Sequence, residues 1–293
     1  MNPPVVSLPR LTRAQAPVTH AIQALDEHGH ACALAIPAER ALTVYVDKQE
    51  LITLMTLGAH PEWLVLGYLR NQRLIDSVQQ IESITVDWEA GDAGAGVAAV
   101  KTRSGLPDWR ARTESRIVTT GCGQGSMFGS AMQDLAQQPL PDTRLTQARL
   151  YEVLARVRAL ESTYKSAGSV HGCALFDGVS LQLFVEDVGR HNAVDTIAGW
   201  LALQPQEAQP QDPLFYTTGR LTSEMVLKAA QLGVPLVVSR SGITQMGFEL
   251  AQSLGVCTVG RATHRHFYCY SAAHRFVSQP DLAVSPQTPG TPA

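Results

Sequence analysis

The chain has 293 residues, 45% of them hydrophobic, and carries 23 Lys and Arg against 26 Asp and Glu, a formal net charge of −3. That apolar content can bury a full core, in one large domain or two unequal ones. A nucleic-acid binder is excluded by the lack of a basic excess or stripe. A membrane protein is excluded by apolar stretches, such as 63–69, far shorter than the roughly 20 residues of a spanning helix. The N-terminus has no basic region followed by an apolar one, so no secretory signal is read and a soluble, cytoplasmic protein is expected.

Five cysteines, Cys32, Cys122, Cys173, Cys257 and Cys269, stand at irregular spacing. An odd number in a chain this long is not a disulfide framework, and no CxxC pair suggests a structural zinc. Any cysteine that matters acts singly, as a nucleophile or sulfur carrier.

In chain order, residues 1–20 are proline-rich without periodicity and read as a flexible lead-in. A mixed α+β region follows over 21–121. Leu42 to Val46 alternates as a strand, and Pro61 opens a buried helix through Trp63, Leu64, Leu66 and Leu69. Strands are expected at Ile81 to Trp88 and Val97 to Thr102, and a short β-prone run at Arg116 to Thr120. That run leads into Gly121-Cys122-Gly123-Gln124-Gly125-Ser126, the start of a Gly-rich loop and linker over 122–140. Beyond it, Arg149 to Tyr164 has helical periodicity, with Leu150, Val153, Leu154, Val157 and Leu160 as its core stripe.

From there strands and helices alternate. Strands are read at Leu181–Val185, Leu214–Thr217, Val234–Ser239 and Val256–Val259. Helices are read at Asn192–Leu203, Thr222–Leu232 and Thr244–Leu254, with Gly233 and Gly255 as C-caps. Alternation with short Gly-containing joints predicts an α/β layer with substantial parallel pairing over 141–277. The Pro-, Ser-, Gln- and Thr-rich end, 278–293, reads as a disordered tail.

Two features carry chemistry. Glycines flanking Cys122 remove bulk and permit φ > 0, so the loop can present an exposed thiolate at its tip. An ordinary Gly-rich turn explains the same residues equally well. The other cysteines sit among apolar or aromatic neighbours and read as small buried hydrophobes.

The second feature is a series of strand-to-helix joints: Glu186 to Asn192 with Gly189, Arg190 and His191; Thr218 to Glu224 with Gly219, Arg220, Thr222 and Ser223; Ser239 to Thr244; and Gly260-Arg261. At the carboxyl ends of α/β strands, free helix N–H groups and arginines suit a multi-phosphate ligand. Any one joint is better explained by ordinary N-caps and solvated arginines. Recurrence favours the ligand. His264 and His266, two apart, would face one side of a strand, but nothing completes a metal site and none is expected.

The segments Glu186-Asp187-Val188-Gly189-Arg190-His191-Asn192-Ala193-Val194-Asp195 and Gly219-Arg220-Leu221-Thr222-Ser223-Glu224-Met225-Val226, with Lys228-Ala229-Ala230, Leu254-Gly255 and Val259-Gly260-Arg261, resemble the formate dehydrogenase accessory sulfurtransferase (FdhD) family. Weaker similarity runs through Leu66-Gly67-Tyr68-Leu69 and Leu74-Ile75-Asp76, so the likeness covers roughly 31–276. The resemblance implies a cytidine-deaminase-like α/β/α fold with a smaller mixed α+β N-terminal part, usually dimeric. It implies a sulfurtransferase that takes persulfide sulfur from a cysteine desulfurase and passes it to the bis(molybdopterin guanine dinucleotide) molybdenum cofactor needed by formate dehydrogenase.

Cys122 falls on the first cysteine of the family's loop and would carry the persulfide. The stretch Val259, Gly260, Arg261, Ala262, Thr263 and His264 falls on the family's cofactor site, where GDP or GTP would mimic the nucleotide part. Gly125 stands where many members have a second cysteine, which questions a two-thiol relay and leaves a non-catalytic cofactor chaperone as the alternative. The deaminase likeness stops at the fold, because His171-Gly172-Cys173 lacks the catalytic glutamate and no Cys-x-x-Cys exists.

Overall fold

A computed structural model describes residues 7–91, 95–105 and 140–283, together with the backbone of Ile117–Val118 and Gly125–Ser126. The chain has a mixed α/β fold built on two main sheets. Strand β1 is Arg10–Leu11, β2 Thr19–Leu25, β3 Ala31–Pro37, β4 Arg40–Val46, β5 Gln49–Thr56, β6 Ile81–Asp87 and β7 Gly96–Thr102, with helix α1, Pro61–Asn71, between β5 and β6. The first sheet has the order β1-β6-β7-β4-β5, and β2 pairs with β3 as a separate ribbon. Pro61 occupies the first turn of α1, as its fixed φ and missing donor favour. Its apolar side packs on the sheet through Leu64, Val65 and Leu69 against Leu42, Val44, Ile84 and Val100.

Arg10–Leu11 lies inside the stretch read as a flexible lead-in, yet it pairs in parallel with Ser83 and Ile84 of β6. Pairing with a strand some seventy residues away leaves no local pattern to read. Strands β8 (Ile117–Val118) and β9 (Gly125–Ser126) pair antiparallel. Cys122, between them, lies outside the described residues.

The second sheet is formed by β11 His171–Asp177, β12 Ser180–Asp187, β13 Pro213–Thr217, β14 Leu236–Ser239, β15 Cys257–Thr263 and β16 His266–Ser271, in the order β12-β11-β13-β14-β15-β16. Only β13, β14 and β15 are mutually parallel; β11 is antiparallel to both neighbours, and β16 to β15. The expected parallel pairing therefore covers half the sheet. Two short strands, β10 (Leu145–Thr146) and β17 (Phe276–Val277), pair in parallel beside it.

The helices of this half are α2 Gln147–Ala159, α3 Thr163–Ala167, α4 Arg190–Ala202, α5 Ser223–Gln231 and α6 Gln245–Leu254. Both faces are covered. Cys173, Leu175, Phe215 and Val237 pack with α4, α5 and α6, while the alternate residues Ala174, Phe176, Tyr216 and Val238 pack with α2. Helix over the whole of 149–164 was expected; instead α2 stops at Ala159, and Ser162, accepting from Lys165 N–H, caps a separate α3. Gly255 ends α6 in the left-handed conformation, at φ +66°. At the other end of the chain Gln279 exchanges hydrogen bonds with Ala148 and Gln147, so the stretch read as a disordered tail begins docked on α2. No helix among the described residues is long and apolar enough to cross a membrane.

The two sheets are joined where α1 crosses α4. A Cβ on Gly67 would stand 1.6 Å from the Asp195 carbonyl oxygen, and one on Gly199 1.9 Å from that of Trp63. The helices touch backbone to backbone because both positions lack side chains. Beneath the crossing, fully buried Lys228 of α5 pairs with Asp195 of α4 at 2.9 Å and with Glu224 of its own helix at 3.4 Å. Asn71 of α1 donates to the other Asp195 oxygen at 2.6 Å. Burial works against the Lys228 ammonium, but Asp195 and Glu224 outweigh it and hold its pKa above the ordinary lysine value.

Two stability outcomes follow. Gly199→Ala gains about 1 kcal/mol of helix propensity, but forcing the helices apart costs about 1–3 kcal/mol or more, so a net loss is expected in urea unfolding. Lys228→Met leaves two buried carboxylates without their cation and should cost about 3–5 kcal/mol in the same measurement.

Candidate functional site

Strand β12 is antiparallel to β11, and β11 to β13. The carboxyl ends of β12, β13, β14 and β15 therefore share one edge of the sheet, and the joints singled out in the sequence lie there together. They are stitched to one another by short hydrogen bonds. The buried Ser239 hydroxyl donates to the Gly219 carbonyl at 2.6 Å and accepts from Ser241 N–H at 2.9 Å. Arg261 N–H donates to the Ser241 carbonyl at 2.7 Å, and Arg240 N–H to Thr217 at 3.0 Å. Such close tracks require glycine: a Cβ at Gly219 would meet Arg190 Cδ at 2.5 Å, and one at Gly260 would meet Tyr270 at 2.6 Å and the Ser241 oxygen at 2.8 Å.

Much of what the sequence singled out is framework. Arg190, His191, Ser223, Ser239 and Val259 are buried, as are Gly219 and Gly260, while Gly189 is half-buried at the N-cap of α4. His191 Nε2 lies 3.2 Å from Glu224 Oε2, with both side chains 1% exposed. Burial, with Lys228, Arg190 and His171 nearby, pushes the His191 pKa down to about 2, so the ring is neutral at any ordinary pH. Thr222 takes the N-cap position of α5 without making the cap hydrogen bond, whereas Thr244 caps α6 by accepting from Gly247.

Asp187 joins the two halves. It accepts from the Thr56 hydroxyl at 2.5 Å, from Leu57 N–H at 3.3 Å and from Asn192 Nδ2 at 2.9 Å. Burial pushes its carboxyl above the usual range, against the pull of those donors. Asp187, His191 and Glu224 are thus ordering groups among buried partners.

The open part of the edge is a cavity of about 400 Å³. Ala262, Thr263 and His264 form one wall, and with Arg240 of the Ser239 to Thr244 joint they are the residues singled out in the sequence that line it. Arg220 and Arg261, also selected, are exposed and outside the lining. The opposite wall is Leu154, Val157 and Arg158 of α2 and Ser162, Tyr164 and Lys165 of α3, with Phe184, Tyr216 and Arg240 closing the base and rim. Four basic side chains, Arg158, Lys165, Arg240 and His264, therefore face a cavity that has no carboxylate among the described residues lining it. The Arg240 guanidinium lies 5.5 Å over the Tyr164 ring, a cation–π arrangement. Tyr216 is 4% exposed, and burial pushes its pKa up to about 12, which keeps its hydroxyl protonated as a donor.

Residues from α3 were not legible as site residues, because one helix was read straight through to Tyr164. Ser162 was the available signal, being a strong N-cap residue just past the last stripe position. What places α3 is Glu186, whose carboxylate accepts from Thr163 N–H at 2.5 Å and from Tyr164 N–H at 3.1 Å. An acidic group at the first turn satisfies donors that the helix itself cannot.

Two residues are left-handed here, Arg261 within the irregular end of β15 at φ +49° and His264 just after it at φ +53°. His264 thus lies in the turn, with Thr263 paired to His266 across it, so the expected common strand face for His264 and His266 does not exist. Left-handed backbone at residues with a Cβ is uncommon and clusters at functional sites. Cationic groups, a buried phenol donor and aromatic faces together suit a ligand with phosphates and a planar ring.

Comparison with known proteins agrees on one family. The FdhD/NarQ family model matches residues 37–277. The sulfur carrier protein FdhD of Bacillus licheniformis is 30% identical over 239 residues, covering 81% of this chain and 88% of that protein. The protein of the same name from Bacillus subtilis strain 168 is 29% identical over 239 residues, with the same coverage. A crystal structure of a candidate formate dehydrogenase accessory protein from Desulfotalea psychrophila shares the fold, with TM-score 0.69 at 24% identity, covering 89% of this chain and 100% of that one. With the family model spanning most of its length, the chain belongs to the FdhD/NarQ family.

Proposed function

We propose that the chain is a sulfur carrier that passes persulfide sulfur from Cys122 to the bis(molybdopterin guanine dinucleotide) molybdenum cofactor used by formate dehydrogenase. The observation that carries this reading is the cavity at the carboxyl edge, cationic and aromatic and free of carboxylates among the described residues. The names of the relatives as sulfur carrier proteins support it.

In this scheme the Cys122 thiolate attacks the outer sulfur of a persulfide on a cysteine desulfurase. The donor's cysteine leaves as thiolate, and Cys122 holds the transferred sulfur as its own persulfide. The cofactor is the substrate that receives it. Its phosphates meet Arg158, Lys165, Arg240 and His264, and its guanine meets the aromatic faces of Tyr164 and Phe184. The proposed working form is a cytoplasmic homodimer.

Cys122→Ala should abolish persulfide loading, read by alkylation and mass spectrometry after incubation with a loaded desulfurase, and should fail to restore formate dehydrogenase activity. A variant that still restores activity would favour a chaperone that only escorts the cofactor. For the cavity, Arg240→Ala should weaken GDP binding in calorimetry about tenfold or more, since a desolvated charged hydrogen bond contributes about 1.5–3 kcal/mol. Arg220→Ala, outside the lining, should leave it little changed. Equal affinity for Arg240→Ala and the parent would move the nucleotide elsewhere.

A further inference from the structure

Cys257 and Cys269 face each other across neighbouring strands, with their sulfurs 4.0 Å apart. Cys257 opens β15 and Cys269 pairs with Val259, whereas the cavity is lined from Ala262 onward, so the pair lies roughly 10–16 Å along the strand from that site at ~3.3 Å per residue. Both point to the face covered by α2, where Cys257 is fully buried and Cys269 half-buried at the margin of the apolar cluster. One thiol is thus reachable from solvent and its partner stands behind it.

The environment divides the roles. A hydrogen bond from the Cys257 thiol lowers the Cys269 pKa, which burial alone would raise, and the same contact together with burial pushes the Cys257 thiol up. Being half-buried where its partner is fully buried, Cys269 is the thiol that attacks and Cys257 the reserve thiol that follows. The β15–β16 register shifts between Thr258 and Val259, directly beside the pair. A bulge loosens the ladder locally, which lets the sulfurs close from 4.0 Å to a bond of about 2.0 Å.

We propose that Cys257 and Cys269 form a dithiol site that reduces sulfane sulfur, taking it from a small-molecule persulfide and releasing it as sulfide. The Cys269 thiolate attacks the outer sulfur of the persulfide, whose thiol leaves as thiolate, and Cys269 becomes a persulfide. The Cys257 thiol then attacks the inner sulfur, Cys269 Sγ. The terminal sulfur departs as hydrosulfide, and the Cys257 proton passes to solvent. Two thiols are oxidised to one disulfide, and one sulfane sulfur gains the two electrons. Low-molecular-weight thiols reopen the disulfide by exchange. The chemistry does not use Cys122, and gives a chain exposed to persulfides a way to discharge misplaced sulfur.

The test uses the full chain carrying Cys122→Ala, reduced, desalted and incubated with glutathione persulfide. Sulfide is quantified, and tryptic peptides are mapped without reduction, since Arg261 and Arg265 separate the two cysteines. The expected result is sulfide release together with a disulfide joining the Cys257 and Cys269 peptides. Adding Cys257→Ser should drop sulfide release to that of protein-free buffer and leave Cys269 trapped with one extra sulfur. Cys257→Ala serves as a second variant if the serine form does not fold, and the peptide map on the unsubstituted pair needs neither. Both thiols remaining fully alkylatable after exposure, or undiminished sulfide release from the Cys257 variants, overturns the proposal. Failure of the Cys122 scheme would leave this result untouched.

Discussion

A single ammonium group buried between helices constrains the architecture. Lys228 is 2% exposed, and a charge that deep is tolerated only where opposite charge and hydrogen bonds meet it. Asp195 comes from α4, Glu224 from α5, and α1 contributes Asn71 to the same carboxylate. As a net source of stability such a cluster is weak, since hydrophobic residues could fill the space as well. As a restriction on alternatives it is strong, because any other helix register strands one of the charges. The Gly67–Gly199 crossing acts the same way on the backbone, so α4 and α5 reach the carboxyl edge of the second sheet in one arrangement.

This explains a division of labour within the edge. The long, unusual segments around Asp187 to Asp195 and Gly219 to Lys228 build the platform. Asp187 ties the first sheet to the second, Ser239 ties neighbouring joints together, and His191 stays neutral in the interior. The groups that face the cavity come mostly from elsewhere: Arg158 on α2, Tyr164 and Lys165 on α3, and Arg240 and Thr263 at strand ends. A chemically rich motif is therefore not the same thing as a contact surface.

The sequence made the regular part of the fold legible because its signals are local. Pro61 opens α1, Gly255 closes α6, and the apolar runs of β13 and β14 report strands buried on both faces. What it hid was non-local. Nothing near Arg10 announces a partner at Ser83, and β11, an apolar run not read as a strand, takes its antiparallel direction from β12 and β13. At the edge, the positions of the joints were readable and their roles were not. Arg220 and Arg190 look alike on paper, yet one is exposed and the other 4% exposed beneath Gly219, a difference set by packing. Tyr164 was placed at the end of the preceding helix because the break at Leu160 to Ser162 leaves the periodicity nearly intact.

The carboxylate of Glu186 has a consequence for how this edge can change over time. It belongs to β12, yet through Thr163 and Tyr164 it suspends the short helix that carries half of one cavity wall. Lineages are free to alter the side chains on that helix, and so to retune what the cavity admits, without disturbing the sheet. They are not free to alter the peg from which it hangs. Changing the outward side chains of α3 would reshape what the cavity admits, whereas losing the Glu186 carboxylate would release the helix that presents them.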